Sequence, residues 1–514
     1  MESVIGTGSH AESSEIPYIN EMTPMTSSSQ EEEHEEGKKT ACVRDQSPSR
    51  EKADDYNDKK MTSVRDHSAP DGGWGWVVVI GSLGIHIIIF GIEKSVGILM
   101  KKFTTKFQQS ASVTAWVATL PAGMRLLFAP VCSILIQKYQ YRPVVLAGSI
   151  LMGIGLLLTA FSTNLLFTFG CFAIAGGVGN CLVYTPSVVV VGHYFSRRRG
   201  LAVGIATSSF GAFLFPTLIE YLFDQYGFRG AFLMLSAIAL NTMVCGCVFR
   251  PLKTIQKYKS ETALINNGSP SCDINGGHLS KPISNKRHTL CDNCVHCCKS
   301  VNKYTRKLLD ILGNYRYLSF CVAIVMFSIA FQSAYAFIPL YSTQIGITDQ
   351  DSTYIIAVTI LADGLGRIGI GALLDMGCVK QHRIMLYSIS LLLVGAVSLI
   401  LPSTRTLAEL LVVCSIYGVL MGGIISQKSV IVVDILGIKK LADAFGLLSF
   451  FQGIGVFVGP PITGLLRDIK GDYSYGFYFG GGATVAGATI FFIANVIHLT
   501  KTDCLNSVEK EEQL

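Results

Sequence analysis

Charge is scarce in this 514-residue chain: 15% of its residues are Asp, Glu, Lys or Arg, against about 25% in soluble domains. Half of the residues are apolar and the mean hydropathy is +0.44. That excludes a soluble enzyme, a disordered scaffold and a collagen-like fibre. Cysteine is sparse as well. Seven of the fifteen cysteines lie scattered through apolar stretches, as small buried hydrophobes do and as the staples of a secreted disulfide domain do not. There is no phosphate-cradling glycine loop, no catalytic triad and no H-E-x-x-H motif. ATP coupling and enzymatic turnover therefore have no basis, and no cofactor or metal is expected. The formal charge of +6 is modest, and the basic residues sit beside apolar runs instead of forming a stripe for nucleic acid. The partner that remains is a lipid bilayer.

Where charge stops, the organisation begins. Residues 1–69 carry 15 acidic and 8 basic side chains and no long apolar run, which predicts a disordered acidic cytoplasmic arm. The arm is too polar for a secretory signal, so the first apolar segment directs insertion. From Trp74 to about Thr500, apolar stretches recur that are long enough to cross ~30 Å of hydrocarbon, which takes about 20 helical residues. They fall near 76–99, 113–136, 143–161, 166–191, 201–223, 230–249, 317–342, 352–376, 384–402, 406–433, 441–465 and 474–499. The polar stretch 251–316 splits them six and six. The expectation is an all-α membrane protein of twelve transmembrane helices in two six-helix bundles, 70–250 and 317–500, joined by a cytoplasmic linker and followed by a tail at 501–514. Repeated halves suggest a transporter; a twelve-helix channel or membrane enzyme with a large loop has the same count. The breaks after even-numbered spans carry 21 Lys and Arg and those after odd-numbered spans carry 7, which puts both termini and the linker in the cytoplasm.

Four basic residues remain inside the spans: Lys94, Arg125, Arg367 and Lys428. A charge at the bilayer centre costs about 2.5–3.5 kcal/mol on insertion scales, so each must meet a polar cavity or a partner. Lys94 reads either as a ligand group or as a stem snorkelling to the outer interface. Its neighbour Glu93 points about 100° away and is a poor partner. Asp363 and Arg367 stand at i, i+4, where one side chain neutralises the other; the pair is functional or purely structural. Arg125 has no acidic residue within four positions and reads as a cavity residue or as one paired with helix carbonyls or a distant carboxylate. Lys428, near the cytoplasmic end of its span, reads as a site residue or as a snorkelling one. His86, alone in an apolar stretch, reads as a packing residue or a proton relay. In the linker, Cys291, Cys294, Cys297 and Cys298 have C-x-x-C spacing but no second separated ligand pair. They read as palmitoylation sites or reduced thiols ahead of a zinc site.

Motifs then join the charges. Pro70 precedes Asp71-Gly72-Gly73-Trp74-Gly75-Trp76 at the entry to the first span. Before the fifth, Tyr194-Phe195-Ser196-Arg197-Arg198-Arg199-Gly200 leads into Leu201-Ala202-Val203-Gly204-Ile205-Ala206. On these residues the chain resembles the monocarboxylate transporter family of the major facilitator superfamily, over about 70–502. In the motifs themselves, glycines permit a tight approach of chain to bundle, Trp rings suit the headgroup interface, and the arginines suit anionic lipid heads. There are departures: Ser208-Ser209 replace a usual Ala-Gly, Phe213 replaces a usual glycine, and the loop after the second span keeps Lys138 and Arg142 without its acidic member. The echo after the eighth span keeps Gly371 and Asp375.

The resemblance implies the major facilitator fold and a secondary active transporter. Carried over by position, Lys94 corresponds to the first-helix lysine that proton-coupled members use for proton and carboxylate, and Asp363 and Arg367 to their eighth-helix pair. This implies alternating-access symport of a proton and a small organic anion, a monocarboxylate above all, at the plasma membrane, with a single-span immunoglobulin-like glycoprotein as a partner. Arg125 lies outside that pattern and would tune substrate choice. The alternatives are a proton-independent facilitator of a larger or zwitterionic solute, such as an amino acid, creatine or a thyroid-hormone-like compound, and a non-transporting membrane sensor or scaffold.

Overall fold

The computed structural model describes residues 71–109, 111–208, 210–250 and 305–512. The acidic arm, the Cys291–Cys298 cluster and most of the linker lie outside these residues. Every regular element among the described residues is helical. Four helices start on a side-chain cap that answers one of the free N–H groups of a first turn. Asn164 accepts from Phe167 N at 2.7 Å, Asn314 from Arg316 N at 3.0 Å, Thr348 from Asp351 N at 3.2 Å and Thr406 from Glu409 N at 3.3 Å.

The helices used below are α1 (Trp74–Lys94), α2 (Val96–Phe107), α3 (Ala111–Leu127), α4 (Ala129–Tyr139), α5 (Tyr141–Ala160), α6 (Leu165–Tyr194), α7 (Arg199–Thr207), α8 (Leu214–Cys247), α9 (Tyr315–Gln344), α10 (Asp349–Leu374), α11 (Arg383–Ile400), α12 (Leu407–Leu436), α13 (Leu441–Lys470) and α14 (Ser474–Glu512). By length and composition, ten helices among the described residues can cross a membrane, and an eleventh if the bent pair Thr119–Leu127 and Ala129–Tyr139 is one span. The sequence leads one to expect twelve. The difference lies in Arg199–Cys247, where the fifth and sixth expected spans run together as one candidate of 49 residues. The chain nevertheless leaves helical geometry within it at Gly227, with φ 63° and ψ −172°, a region that only glycine enters without strain. The 52° bend in the second span follows Pro121 and falls one residue before Pro130, since proline removes a helix hydrogen bond and crowds the preceding turn.

Apolar side chains face two ways. Val78, Ile85, Phe320, Phe327, Val430 and Phe445 are among those fully buried between helices. Ile80, Leu166, Val244 and Ile469 remain at least 66% exposed, as expected where the solvent is hydrocarbon. Helices before the linker pack on one another, α6 and α8 both against α1 and α5; after it, α10 packs on α12, and α13 and α14 on α9. Between these sets, α7 lies along α10 and α12, and α3 and α4 lie along α13. The seams are close because they are built on glycine. A side chain at Gly200 would come within 2.7 Å of the Gly371 carbonyl, and one at Gly204 would strike the Arg367 carbonyl. Such stripes of small residues let membrane helices approach backbone to backbone.

Candidate functional site

The eighth-span pair forms as its spacing requires. Arg367 donates from Nε to Asp363 Oδ1 at 3.1 Å and from Nη2 to Oδ2 at 2.8 Å, a bidentate fork with both side chains buried. The third guanidinium nitrogen reaches across the seam and donates to the Thr207 carbonyl on α7 at 2.6 Å. Arg367 thus ties the fifth-span helix to the eighth.

Lys94, at the last turn of α1, does not snorkel to an interface. Its ammonium stands 3.2 Å from the centre of the Tyr335 ring on α9, a cation–π contact. It lies within Coulombic range of Asp363, Glu93, Arg367 and Arg125. Arg125 has found the distant carboxylate: its Nη2 meets both oxygens of Glu93 at 3.1 Å. Glu93 therefore serves Arg125 across two helices instead of its neighbour Lys94. No sequence window exposes that pair, since 32 residues separate its members; two opposite charges in successive antiparallel spans are the only trace.

Lys428 is 2% exposed. Its ammonium turns into the bundle and donates to Gln452 Oε1 on α13, which corrects the snorkelling reading: a helix face pinned between α10 and α13 gives the stem no route to water. His86 is fully buried and its Nδ1 bonds the Ser82 carbonyl at 2.7 Å, a packing arrangement.

Two aromatic rings, Phe90 and Tyr184, gather the cations. Arg367 lies 5.0 Å from the Phe90 ring centre and Arg125 5.5 Å; Arg125 lies 4.4 Å from that of Tyr184 and Lys428 5.8 Å. Three cations, Arg125, Arg367 and Lys428, thus share one buried region with Asp363, and the half-buried Glu93 and Lys94 stand at its edge, Lys94 on the Tyr335 ring. Among the described residues, neither Lys94 nor Lys428 is in an ion pair. Beside this region a small cleft, with room of about 50 Å³, is lined by Glu93, Thr119, Asn180 and Gln332 among apolar side chains. It opens onto Glu93 but not onto Lys94, Asp363 or Arg367.

The two sequence motifs meet at the entry to α1. Asp71 Oδ1 accepts from Ser196 N at 2.7 Å and Arg197 N at 2.8 Å, and Asp71 N donates to the Tyr194 carbonyl at 3.1 Å. Trp76 packs edge-on to Phe195, while Trp74 donates to the Val248 carbonyl at 2.9 Å under the Arg250 guanidinium. The tryptophans thus serve a joint in the protein. Arg197 and Arg198 are exposed, but Arg199 is buried on the Gly192 and Phe195 carbonyls and is no lipid anchor. Gly75 lets this entry close on Phe195 and Gly73 turns it at φ 56°, while Gly72 faces open space, and Leu201, Ala202 and Gly204 lie on α7, where it meets α10. Asp375 accepts from Leu201 N at 2.8 Å and pairs with Arg383, which also holds Asp434. These contacts clamp one end of the seam.

Residues 82–427 match the Major Facilitator Superfamily. The chain belongs to that superfamily. It is 26% identical over 506 residues to human monocarboxylate transporter 14, covering 89% of this chain and 96% of the relative. It is 28% identical over 440 residues to Xenopus laevis monocarboxylate transporter 12, covering 84% and 91%. It is also 28% identical over 479 residues to rat monocarboxylate transporter 9, covering 83% and 93%. Within the superfamily its similarity is to the monocarboxylate transporter family, with no subtype singled out. This Major Facilitator Superfamily protein is a multi-pass membrane transporter and not an enzyme.

Proposed function

We propose that this Major Facilitator Superfamily chain is a proton-coupled symporter of a small monocarboxylate, working by alternating access of its two helical halves. The observation that carries the reading is the buried Asp363–Arg367 fork with Lys94 in Coulombic range. A carboxylate fits Arg367 because the guanidinium fork that now grips Asp363 matches any carboxylate in two places. Dehydrated surroundings disfavour a charged Lys94 until an anion arrives, so proton and anion stabilise each other's binding. Asp363 holds the fork between cycles and takes the proton as the anion leaves Lys94. The cargo then crosses with no net charge, and the membrane potential, about 2.3 kcal/mol per charge per 100 mV, does little to it. The relatives' names support the substrate class, and the excess of Lys and Arg on one set of loops supports cytoplasmic termini; the plasma membrane belongs to the reading by resemblance alone. A single-span glycoprotein partner belongs to the same reading.

The test is uptake of lactate and pyruvate by the full chain under an imposed inward proton gradient. Uptake should rise with external acidity and fall to background in Lys94→Ala and in Arg367→Ala at matched surface level. Uptake that both variants leave unchanged overturns the reading. Saturable uptake indifferent to external pH selects the facilitator instead.

A further inference from the structure

We infer that Lys428, together with Arg125, forms a second oxyanion subsite, so that among carboxylate cargoes a short organic acid with a second carboxylate is held more tightly than a simple monocarboxylate. The inference rests on the transport reading above for the first subsite and deepens it by naming the cargo. Its starting point is the charge of the buried region. The Asp363–Arg367 and Glu93–Arg125 pairs are neutral within themselves. One bound carboxylate answers Lys94 and leaves Lys428, 2% exposed and in no ion pair among the described residues. A buried cation without a counter-charge is among the most costly groups a membrane interior can hold.

The surroundings of Lys428 are built to present an anion-binding face. It donates to the neutral Gln452 Oε1 and also has the Tyr184 side chain as a hydrogen-bond partner, and the aromatic faces of Tyr184 and Phe445 lie 5.8 Å and 5.2 Å from the ammonium. Tyr184 also carries Arg125 on its ring. Arg125 spends one nitrogen on Glu93, while its Nε is buried with no hydrogen-bond partner. A buried guanidinium N–H left unmade costs the full desolvation of that donor; a cargo oxygen between Arg125 and Lys428 would satisfy it. Arg367 and Arg125 approach the same Phe90 ring, so the two subsites flank a shared aromatic floor, on which the methylenes of a short dicarboxylate would lie.

The experiment uses the full-length purified chain in two readouts. One is stabilisation against heat in detergent by succinate, glutarate, propionate and butyrate at pH 7.5; the other is competition by the same acids in proteoliposome uptake. Succinate or glutarate should act at about tenfold lower concentration than butyrate, the scale of one added charge-assisted hydrogen bond. Lys428→Gln should bring that ratio close to one, and Lys428→Arg should restore it. Gln452→Glu, which gives Lys428 a permanent internal carboxylate, should abolish the preference without removing the lysine, and so holds the test if Lys428→Gln fails to fold. Equal action of mono- and dicarboxylates on the native chain, or a preference that survives both Lys428→Gln and Gln452→Glu, overturns the inference. Proton-driven butyrate uptake with no dicarboxylate preference would sink this inference and leave the transport reading standing. Dicarboxylate stabilisation without proton-driven uptake would do the reverse.

Discussion

At the scale of single residues, the buried charges are valued in pairs. Removing one partner strands the other, at about 3–5 kcal/mol, whereas replacing both with neutral groups costs far less. Arg367→Gln alone should therefore lower the thermal midpoint of the purified protein more than Asp363→Asn/Arg367→Gln together. The same order should hold for Arg125→Gln against Glu93→Gln/Arg125→Gln. A double variant as unstable as its worse single variant would contradict both. How readable these residues were depended on their spacing. Asp363 and Arg367 are legible because one helical turn carries both, while Glu93 and Arg125 meet only through the packing of two helices. Lys428 was misleading for a related reason: its nearness to a helix end suggests an escape to water, and the neighbour that closes it lies on α13.

At the scale of helices, the seam between α7 and α10 depends on side chains that are absent. Gly204→Val should abolish uptake while leaving surface expression largely intact, because a branched side chain would push against the Arg367 backbone carbonyl rather than a movable side chain. Surface labelling beside uptake checks it, and full transport in the variant would show that the seam opens without cost. Gly227 is a different case, since its backbone lies where other residues are strained. Gly227→Ala should cost on the order of 1–3 kcal/mol of stability, read as a fall in thermal midpoint. The elements themselves were legible from apolar run length, which the membrane imposes on every span. Their joints were less so. Hydropathy cannot show that 201–223 and 230–249 run together through one glycine, nor that the tryptophans near the first span bind the chain before the linker.

For the whole molecule, the contact of α4 with α13 offers a handle on alternating access. Ser133 donates to the Ala442 carbonyl at 2.7 Å, and a Cβ at Gly446 would stand 2.9 Å from the Ala129 carbonyl and 3.0 Å from the Ser133 Cβ, so the helices meet here only because that side chain is absent. Gly446→Val should hold the two helices apart and abolish uptake at matched surface level, while Ser133→Ala, which gives up only the hydrogen bond, should retain it. Full transport by Gly446→Val would show that this contact is no part of the cycle. Chain order adds a constraint of its own. The carboxylate of Asp71 is secured by amides 125 and 126 positions downstream, so the leading end of the first span stays untethered while the ribosome makes three further spans. Membrane insertion of this protein thus begins with a loose thread whose knot is tied only when the fifth span starts to emerge.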